Sequence, residues 1–473
     1  MWSLLPLIAL FHWLTFNPTH TDKPCAFLGD LKGNPRVECG QLQVPENHHQ
    51  PEGRQIQITY VVLKSETTQE NSGPVIYFTG GPGGAALGPN ALKQWMQSPT
   101  LKTRDLVVFD QRGINYSSAL PNMEQDIFQV QASDADIDQE QRLLGEVMKK
   151  YRKQAKDQGI NLADYNSFQN ARDVGKLMSH LGYDKYNLIG GSYGTRLARI
   201  VQDMFPDKVN SVILNSPSPL GDDFLISRIN SYALALGRIF QYCQGQEQCR
   251  QQYPNLQDDY YQAINALKAN PYSVSIRDQE FVVNAQDAIY LLRRSLYGNN
   301  SRSKAPELIE AFLNREAGPI QEVLNTELAL IDGYNSTMWI SVERYEMFDP
   351  RYTPEAVDSI YNHTALFPER LGVFTSLYLE GKNWHNAELP VEERTFNTSD
   401  IPTLIFVNQY DPVTPPINGK IMQKQLTRAQ LFIMDEGGHG GGDFECRFKV
   451  MENFMEAPFG TLDTSCLNLF SEN

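Results

Sequence analysis

A chain of 473 residues is long enough for a large catalytic core with an inserted or appended domain, and its 41% hydrophobic share supplies such a core. The formal net charge of -15 and the pI near 5.1 argue against nucleic acid as a partner, because phosphates demand a basic surface. Cationic substrates are compatible with that charge, although solubility is the simpler reading, and the mean hydropathy of -0.41 excludes a polytopic membrane protein.

Residues 2–16 (WSLLPLIALFHWLTF) are apolar, free of charge and too short to span a bilayer comfortably. Residues 1–21 are therefore expected to form a secretory signal peptide cleaved near Thr19 or Thr21, with retention as an N-terminal anchor as the alternative. No later stretch is long and apolar enough to cross a membrane, so no stable membrane insertion is expected after cleavage. The six cysteines fall into close couples, Cys25 with Cys39, Cys243 with Cys249 and Cys446 with Cys466. Local couples suit disulfides in an oxidising compartment, secreted or periplasmic; buried thiols of a cytosolic enzyme are the competing reading. No C-x-x-C or Cys/His cluster offers a metal site, and neither metal nor organic cofactor is expected.

Within residues 37–65, the alternation of Gln55-Ile56-Gln57-Ile58-Thr59-Tyr60-Val61-Val62 predicts an antiparallel edge hairpin, half buried. Residues 74–78 (PVIYF) and 105–109 (DLVVF) are continuous apolar runs that suit strands covered on both faces. They end in Thr79-Gly80-Gly81-Pro82-Gly83-Gly84 and Asp110-Gln111-Arg112-Gly113. A helical stretch at 168–181 precedes a third run, Asn187-Leu188-Ile189, which enters Gly190-Gly191-Ser192-Tyr193-Gly194. Beyond it Leu197, Ile200, Val201 and Met204 recur at helical spacing, and residues 209–214 form the next strand. From 221 to 395 long amphipathic patterns dominate, at 227–242, 260–267, 286–297, 306–313 and 319–331, which predicts a mainly helical lid (cap) insertion. Strands resume at 401–407 and 430–434. Strands alternating with helices predict an α/β fold, a mostly parallel central sheet flanked by helices, built from residues 22–220 and 396–473. In such sheets functional residues gather beyond the carboxyl ends of the strands.

Strand, tight turn and helix are the context in which G-x-S-x-G reads as a nucleophile elbow, with the Ser192 hydroxyl lifted near the positive end of a helix. A serine hydroxyl needs a base, and the base an orienting acid, in the chain order serine, acid, histidine on turns after late strands. Asp411, in Asn408-Gln409-Tyr410-Asp411-Pro412-Val413-Thr414-Pro415, and His439, in Asp435-Glu436-Gly437-Gly438-His439-Gly440, stand there. Asp before Pro also initiates turns, and a histidine among glycines is often a loop residue; the three in order outweigh those readings. Asp435 and Glu436 are rival acids but lie too near His439 in sequence to orient it from the opposite side. Backbone N–H groups of Tyr193 and Gly81 are the expected oxyanion donors, although Gly-Pro-Gly is also a plain tight turn. Asp110 and Arg112 are expected to fix loop shape rather than bind substrate.

The combination GGPGG, DQRG, GGSYGT, DPVTP and GGHG resembles the prolyl aminopeptidase and tripeptidyl aminopeptidase branch of the α/β-hydrolases, over nearly the whole mature chain. The resemblance implies the α/β-hydrolase fold and a serine exopeptidase, with Ser192 as nucleophile, Asp411 as acid and His439 as base. It also implies a peptide substrate with a free N-terminus, held by lid carboxylates; Glu346 falls at the matching place, with Glu343 one helical turn earlier. A helix charge facing solvent is the alternative for both. Two departures, Ile114-Asn115-Tyr116-Ser117 after DQRG and Arg344 where relatives often carry cysteine, imply a reshaped pocket wall and a differently braced lid. Competing functions are a carboxylesterase or lipase-like hydrolase and a non-catalytic binding protein on the same fold. Asn115, Asn299, Asn335, Asn362 and Asn397 each begin an N-x-S/T sequon, expected to be unused in a bacterial exported protein.

Overall fold

The computed structural model describes residues 25–67, 73–221, 224–364 and 366–470. The expected signal peptide at 1–21 lies outside these residues.

An eight-stranded sheet runs in the order β1-β2-β4-β3-β5-β6-β9-β10. Its strands are β1 (Val37–Pro45), β2 (Gln55–Leu63), β3 (Val75–Phe78), β4 (Leu106–Phe109), β5 (Tyr186–Gly191), β6 (Val209–Asn215), β9 (Thr403–Asn408) and β10 (Ala429–Met434); β7 (Tyr272–Ile276) and β8 (Gln279–Val283) form a separate hairpin. The β1/β2 and β2/β4 pairs are antiparallel, and every other pairing in the sheet is parallel. This is the mostly parallel sheet flanked by helices that the strand–helix alternation predicts.

Strand periodicity sends alternate residues to opposite faces. Ile76, Val107, Leu188, Val212 and Ile405 join Leu197, Ile200 and Val201 of the helix Tyr193–Met204 in one buried cluster. Val75, Leu106, Ile189, Ile213 and Leu404 join Val450, Met451 and Phe454 of the terminal helix Phe444–Glu456 in the other. The first cluster continues without a break into the helices between β6 and β9, through Ile229, Leu236, Ile289 and Ile340. That intervening stretch is mainly helical, with β7 and β8 the strands it contains among the described residues.

One local expectation needs adjustment, and two further elements add to what the sequence predicts. β2 is not half buried: Ile58 to Leu63 are buried save for the edge of Tyr60, because β2 lies inside the sheet with β1 outside it. The β7/β8 hairpin interrupts the helical stretch, its turn set by Arg277 and Asp278 at φ 46° and 62°. A helix of 21 residues, Ile137–Asp157, was not anticipated; Asp136 and Gln139 close a capping box at its start.

Disulfides join Cys25 to Cys39, Cys243 to Cys249 and Cys446 to Cys466, so the pairing by proximity in sequence holds. Among the described residues no helix is long and apolar enough to cross a membrane.

Candidate active site

β5 delivers its carboxyl end directly into the turn. Ser192 sits at φ 55°, ψ -124°, a conformation costly for a residue with a side chain, and the helix Tyr193–Met204 starts at the next position. The elbow holds because its neighbours are small and its backbone is bonded. Ser192 N–H donates to Asn215 O at 2.9 Å, and a Cβ on Gly194 would lie 2.1 Å from Phe78 O. The sharp approach of β3 to the elbow therefore requires glycine at 194.

The three residues expected from separate turns meet. Ser192 Oγ lies 2.9 Å from His439 Nε2, and His439 Nδ1 lies 2.9 Å from Asp411 Oδ2 and 3.1 Å from Oδ1. With Nδ1–H donating to the carboxylate, Nε2 is left to accept from the serine hydroxyl. Asp411 also accepts from Val413 N–H at 2.8 Å, Thr414 N–H at 2.7 Å and the Thr414 hydroxyl at 2.8 Å. Burial alone pushes its carboxyl up, but the His439 charge, the hydrogen bond to it and the Thr414 donors prevail and hold it well below the usual carboxylate range. A fully buried carboxylate ionised at all working pH values results. Among the rival acids, Glu436 turns away to pair with Arg302 at 2.7 Å.

The His439 loop is gripped from two sides. Asn408, the last residue of β9, donates through Nδ2 to Gly438 O at 2.6 Å and Gly441 O at 2.9 Å, and its Oδ1 accepts from Arg447. From the helical stretch, Leu296 O accepts from His439 N–H at 3.3 Å, Gly298 O from Gly438 N–H at 3.0 Å, and the Asn299 amide bonds Gly442. A Cβ on Gly438 would lie 1.5 Å from Leu296 O, so this seam closes only on glycine. Tyr297, in the same segment, packs its ring edge-on to the imidazole. Asn408, Arg447, Asn299 and Tyr297 were not anticipated; Asn408 and Arg447 carry a faint signal, as polar residues inside apolar strand and helix patterns.

The Gly80–Gly84 loop after β3 has Gly81 at φ 119° before a cis Gly81–Pro82 bond, and Gly80 lines the same cavity as Ser192 and His439. Residues 333–337 are stapled to this loop: Asn335 N–H donates to Gly83 O at 2.9 Å, and Gly333 O accepts from Ala85 N–H at 2.7 Å. Asn335 Nδ2 reaches Leu120 O at 3.0 Å and Gly113 O at 3.4 Å, and Glu124 Oε1 accepts from Ser336 N–H at 2.7 Å. The helix Ser336–Glu346 is thus fixed at its start to the loop that faces Ser192.

That helix carries Glu343 and Glu346, and both are buried rather than solvent-facing. Glu346 is fully engaged, accepting from Ser167 N–H at 2.7 Å and Arg196 Nη1 at 3.0 Å. Glu343 approaches Arg196 Nη1 only to 3.6 Å, and neither of its buried oxygens has a hydrogen-bond donor among the described residues. Burial raises the Glu343 carboxyl above its ordinary value; Arg196 and Arg228 draw it down and Glu346 adds to the rise. Arg196 itself stacks 5.6 Å over the ring of Tyr193, the residue after Ser192. A buried carboxyl without a hydrogen-bond donor among the described residues therefore lies one side chain removed from the Ser192 turn.

Asp110 and Arg112 are structural, as expected. Asp110 accepts from Ala86 and Leu87 N–H at 2.8 and 3.0 Å and from Asn115 Nδ2 at 2.9 Å, while Arg112 binds Asp173 at 2.7 and 2.8 Å and three backbone carbonyls. The Ile114–Ser117 departure is part of that brace. Arg344 bonds Glu388 at 2.9 Å and lies over the Phe348 ring. Among the described residues no cluster of His, Cys, Asp and Glu could hold a metal ion.

The sequence profile of the alpha/beta hydrolase fold matches residues 73–445. The chain belongs to that family. It is 30% identical over 189 residues to a tripeptidyl aminopeptidase of Streptomyces lividans, a match covering 38% of this chain and 35% of that protein. It is 28% identical over 206 residues to the serine protease Hip1 of Mycobacterium tuberculosis, covering 38% and 37%. The matched part thus spans about a third of each relative's length. A solved proline iminopeptidase of Mycobacterium smegmatis aligns over 89% of this chain and 98% of its own at 14% identity, with a TM-score of 0.38. An α/β-hydrolase, with partial relatives named as peptidases, is what the family and its members establish.

Proposed function

We propose that the chain is an exported serine aminopeptidase, which releases N-terminal residues from peptides through an acyl-enzyme. The observation that carries this reading is the continuous hydrogen-bonded chain from Ser192 Oγ through His439 to Asp411. His439 Nε2 takes the hydroxyl proton as Oγ attacks the scissile carbonyl carbon. The carbonyl π electrons move to oxygen, where the N–H groups of Tyr193 and Gly81 receive the charge. As the tetrahedral adduct collapses, the C–N bond breaks and the leaving amine takes the proton from His439. Water, deprotonated by the same imidazole, then hydrolyses the ester and restores Ser192. Asp411 stays ionised throughout, orienting the ring and stabilising the imidazolium.

Exopeptidase action needs a group that recognises a free α-amine. Glu343 supports that role better than Glu346, since an ammonium would supply the donors that its oxygens lack. Export is supported by the disulfides, which suit an oxidising compartment.

A fluorophosphonate probe tests the nucleophile: the wild type labels and Ser192→Ala does not. No serine-dependent labelling would mean a non-catalytic binding protein. Peptides with and without an N-acetyl group test the amine requirement; equal rates on both would point to an esterase-like hydrolase instead.

A further inference from the structure

The cavity that Ser192, Gly80 and His439 share lies on the face of the sheet packed by the terminal helix Phe444–Glu456, whereas Glu343 pairs with Arg196 beside Tyr193. The cavity holds about 310 Å³, and Ser192, Gly80 and His439 are among its lining residues. Tyr77, Trp95, Phe448 and Met451 wall it, with Phe444 at its mouth, more than half exposed at 55%. Tyr77 and Trp95 are in ring contact at 4.5 Å between centroids. Among the cavity's sheet residues, Leu106 and Ile189 belong to the cluster packed on the terminal helix, whereas Tyr193 belongs to the cluster on the other face. Arg196, which bridges Glu343 and Glu346, is on that other face beside Tyr193. Ser192 lines this cavity, and the next residue, Tyr193, packs on the other face.

Resting on the aminopeptidase reading, we propose that this cavity is the binding site for the residue immediately after the scissile bond, and that it selects a large apolar side chain there. If the amino end of the substrate lies on the Glu343 side, the chain beyond the cleaved bond must leave on the other. The leaving nitrogen must also stand beside His439 Nε2 to receive its proton, and His439 is part of this cavity's wall. The volume is at the lower end of small-ligand pockets, about 300–1,000 Å³. It therefore suits one bulky residue rather than an extended peptide. Apart from His439, its charged lining group is Arg447, a buried cation that disfavours a basic side chain.

The test is a set of free-amine peptides identical except for Gly, Lys, Leu or Phe after the cleaved bond, with cleavage confirmed by mass spectrometry. Leu and Phe members are expected to exceed Gly in kcat/KM by about tenfold or more, with Lys no better than Gly. Met451→Trp fills the cavity, and its Phe-to-Gly ratio should fall to about one or below. Phe448→Ala enlarges it and should move the optimum towards the largest side chain; fluorophosphonate labelling shows that each variant is folded. A flat wild-type series, or a preference unchanged in a labelled Met451→Trp protein, overturns the proposal. N-acetylated versions of the same peptides separate the two readings. A flat series with acetylated peptides inert defeats the pocket and leaves the aminopeptidase standing. A steep series cleaved equally with or without the acetyl group defeats the amine requirement and leaves the pocket.

Discussion

The ring of Tyr297 meets the imidazole of His439 edge-on, 5.0 Å between centroids with the planes 72° apart. The same ring carries the Arg294 guanidinium 3.9 Å from its centroid, itself paired with Glu327. The proposed base is thus held by a residue of the helical insertion and not by the sheet alone. Tyr297→Ala should lower kcat by about tenfold, the loss expected when a general base is free to leave its productive orientation. Tyr297→Phe, which keeps the ring, should stay near wild type. Steady-state kinetics and the rate of fluorophosphonate labelling read both.

The two buried glutamates of the helix Ser336–Glu346 should separate in opposite directions. Glu346→Gln removes the charge bonded to buried Arg196 and should cost about 3 kcal/mol of stability, read by denaturant unfolding. Glu343→Gln removes a buried carboxylate that has no donor, so stability should hold or rise. Its kcat/KM on a free-amine peptide should nonetheless drop by about 100-fold, the scale of losing a buried charge pair. Loss of stability at Glu343 without loss of activity would reverse these assignments.

Asn408 reaches both Gly438 and Gly441 from the end of β9. Asn408→Ala should cost roughly 2 kcal/mol, since two buried carbonyls and Arg447 lose their partner. It should also lower kcat more than it raises KM, because the loop holds His439 and does not contact the acyl group. A kcat/KM split and a thermal melt on one preparation check both halves.

Buried carboxyls give stability a pH dependence with a definite sign. Burial pushes Asp110 up to about 6 and Glu124 to about 7, against ordinary values of 3.8 and 4.5, despite the N–H donors each accepts from. Each therefore binds its proton more tightly folded than unfolded. The stabilisation is complete below the unfolded values and is lost as pH rises through the folded ones. The melting temperature should fall between about pH 4 and pH 7, and Glu124→Gln should remove about 3 kcal/mol of that pH-dependent stabilisation. Asp411 works the other way, but its folded value is so depressed that its contribution is lost only in strong acid. A melting temperature that climbs over this interval would contradict the assignment.

The parallel sheet and the meeting of Ser192, His439 and Asp411 were legible because they rest on local grammar. Each core strand is a short apolar run, and Ser192, Asp411 and His439 each follow one in a turn. What escaped rests on contacts between distant segments. The burial of β2 depends on β1 lying outside it, which no alternation in Gln55–Val62 records. Glu343 and Glu346 are one turn apart on a single helix, and periodicity treats them alike. Their difference comes from Ser167 and Arg196, brought up by other helices. Tyr297 and Asn299 reach the His439 loop across more than 130 residues of chain.

Asn335 begins the sequon Asn335-Ser336-Thr337, yet its side chain is 3% exposed and spends its amide hydrogens on Leu120 and Gly113. A sugar attached during synthesis would arrive before this contact forms and would leave the stapled segment nowhere to close. Production through a glycosylating secretory route should therefore yield misfolded chains unless this sequon is silenced at Thr337, along with those at Asn115 and Asn299, whose amides are also bonded internally, whereas the exposed sequons at Asn362 and Asn397 could carry glycans without harm.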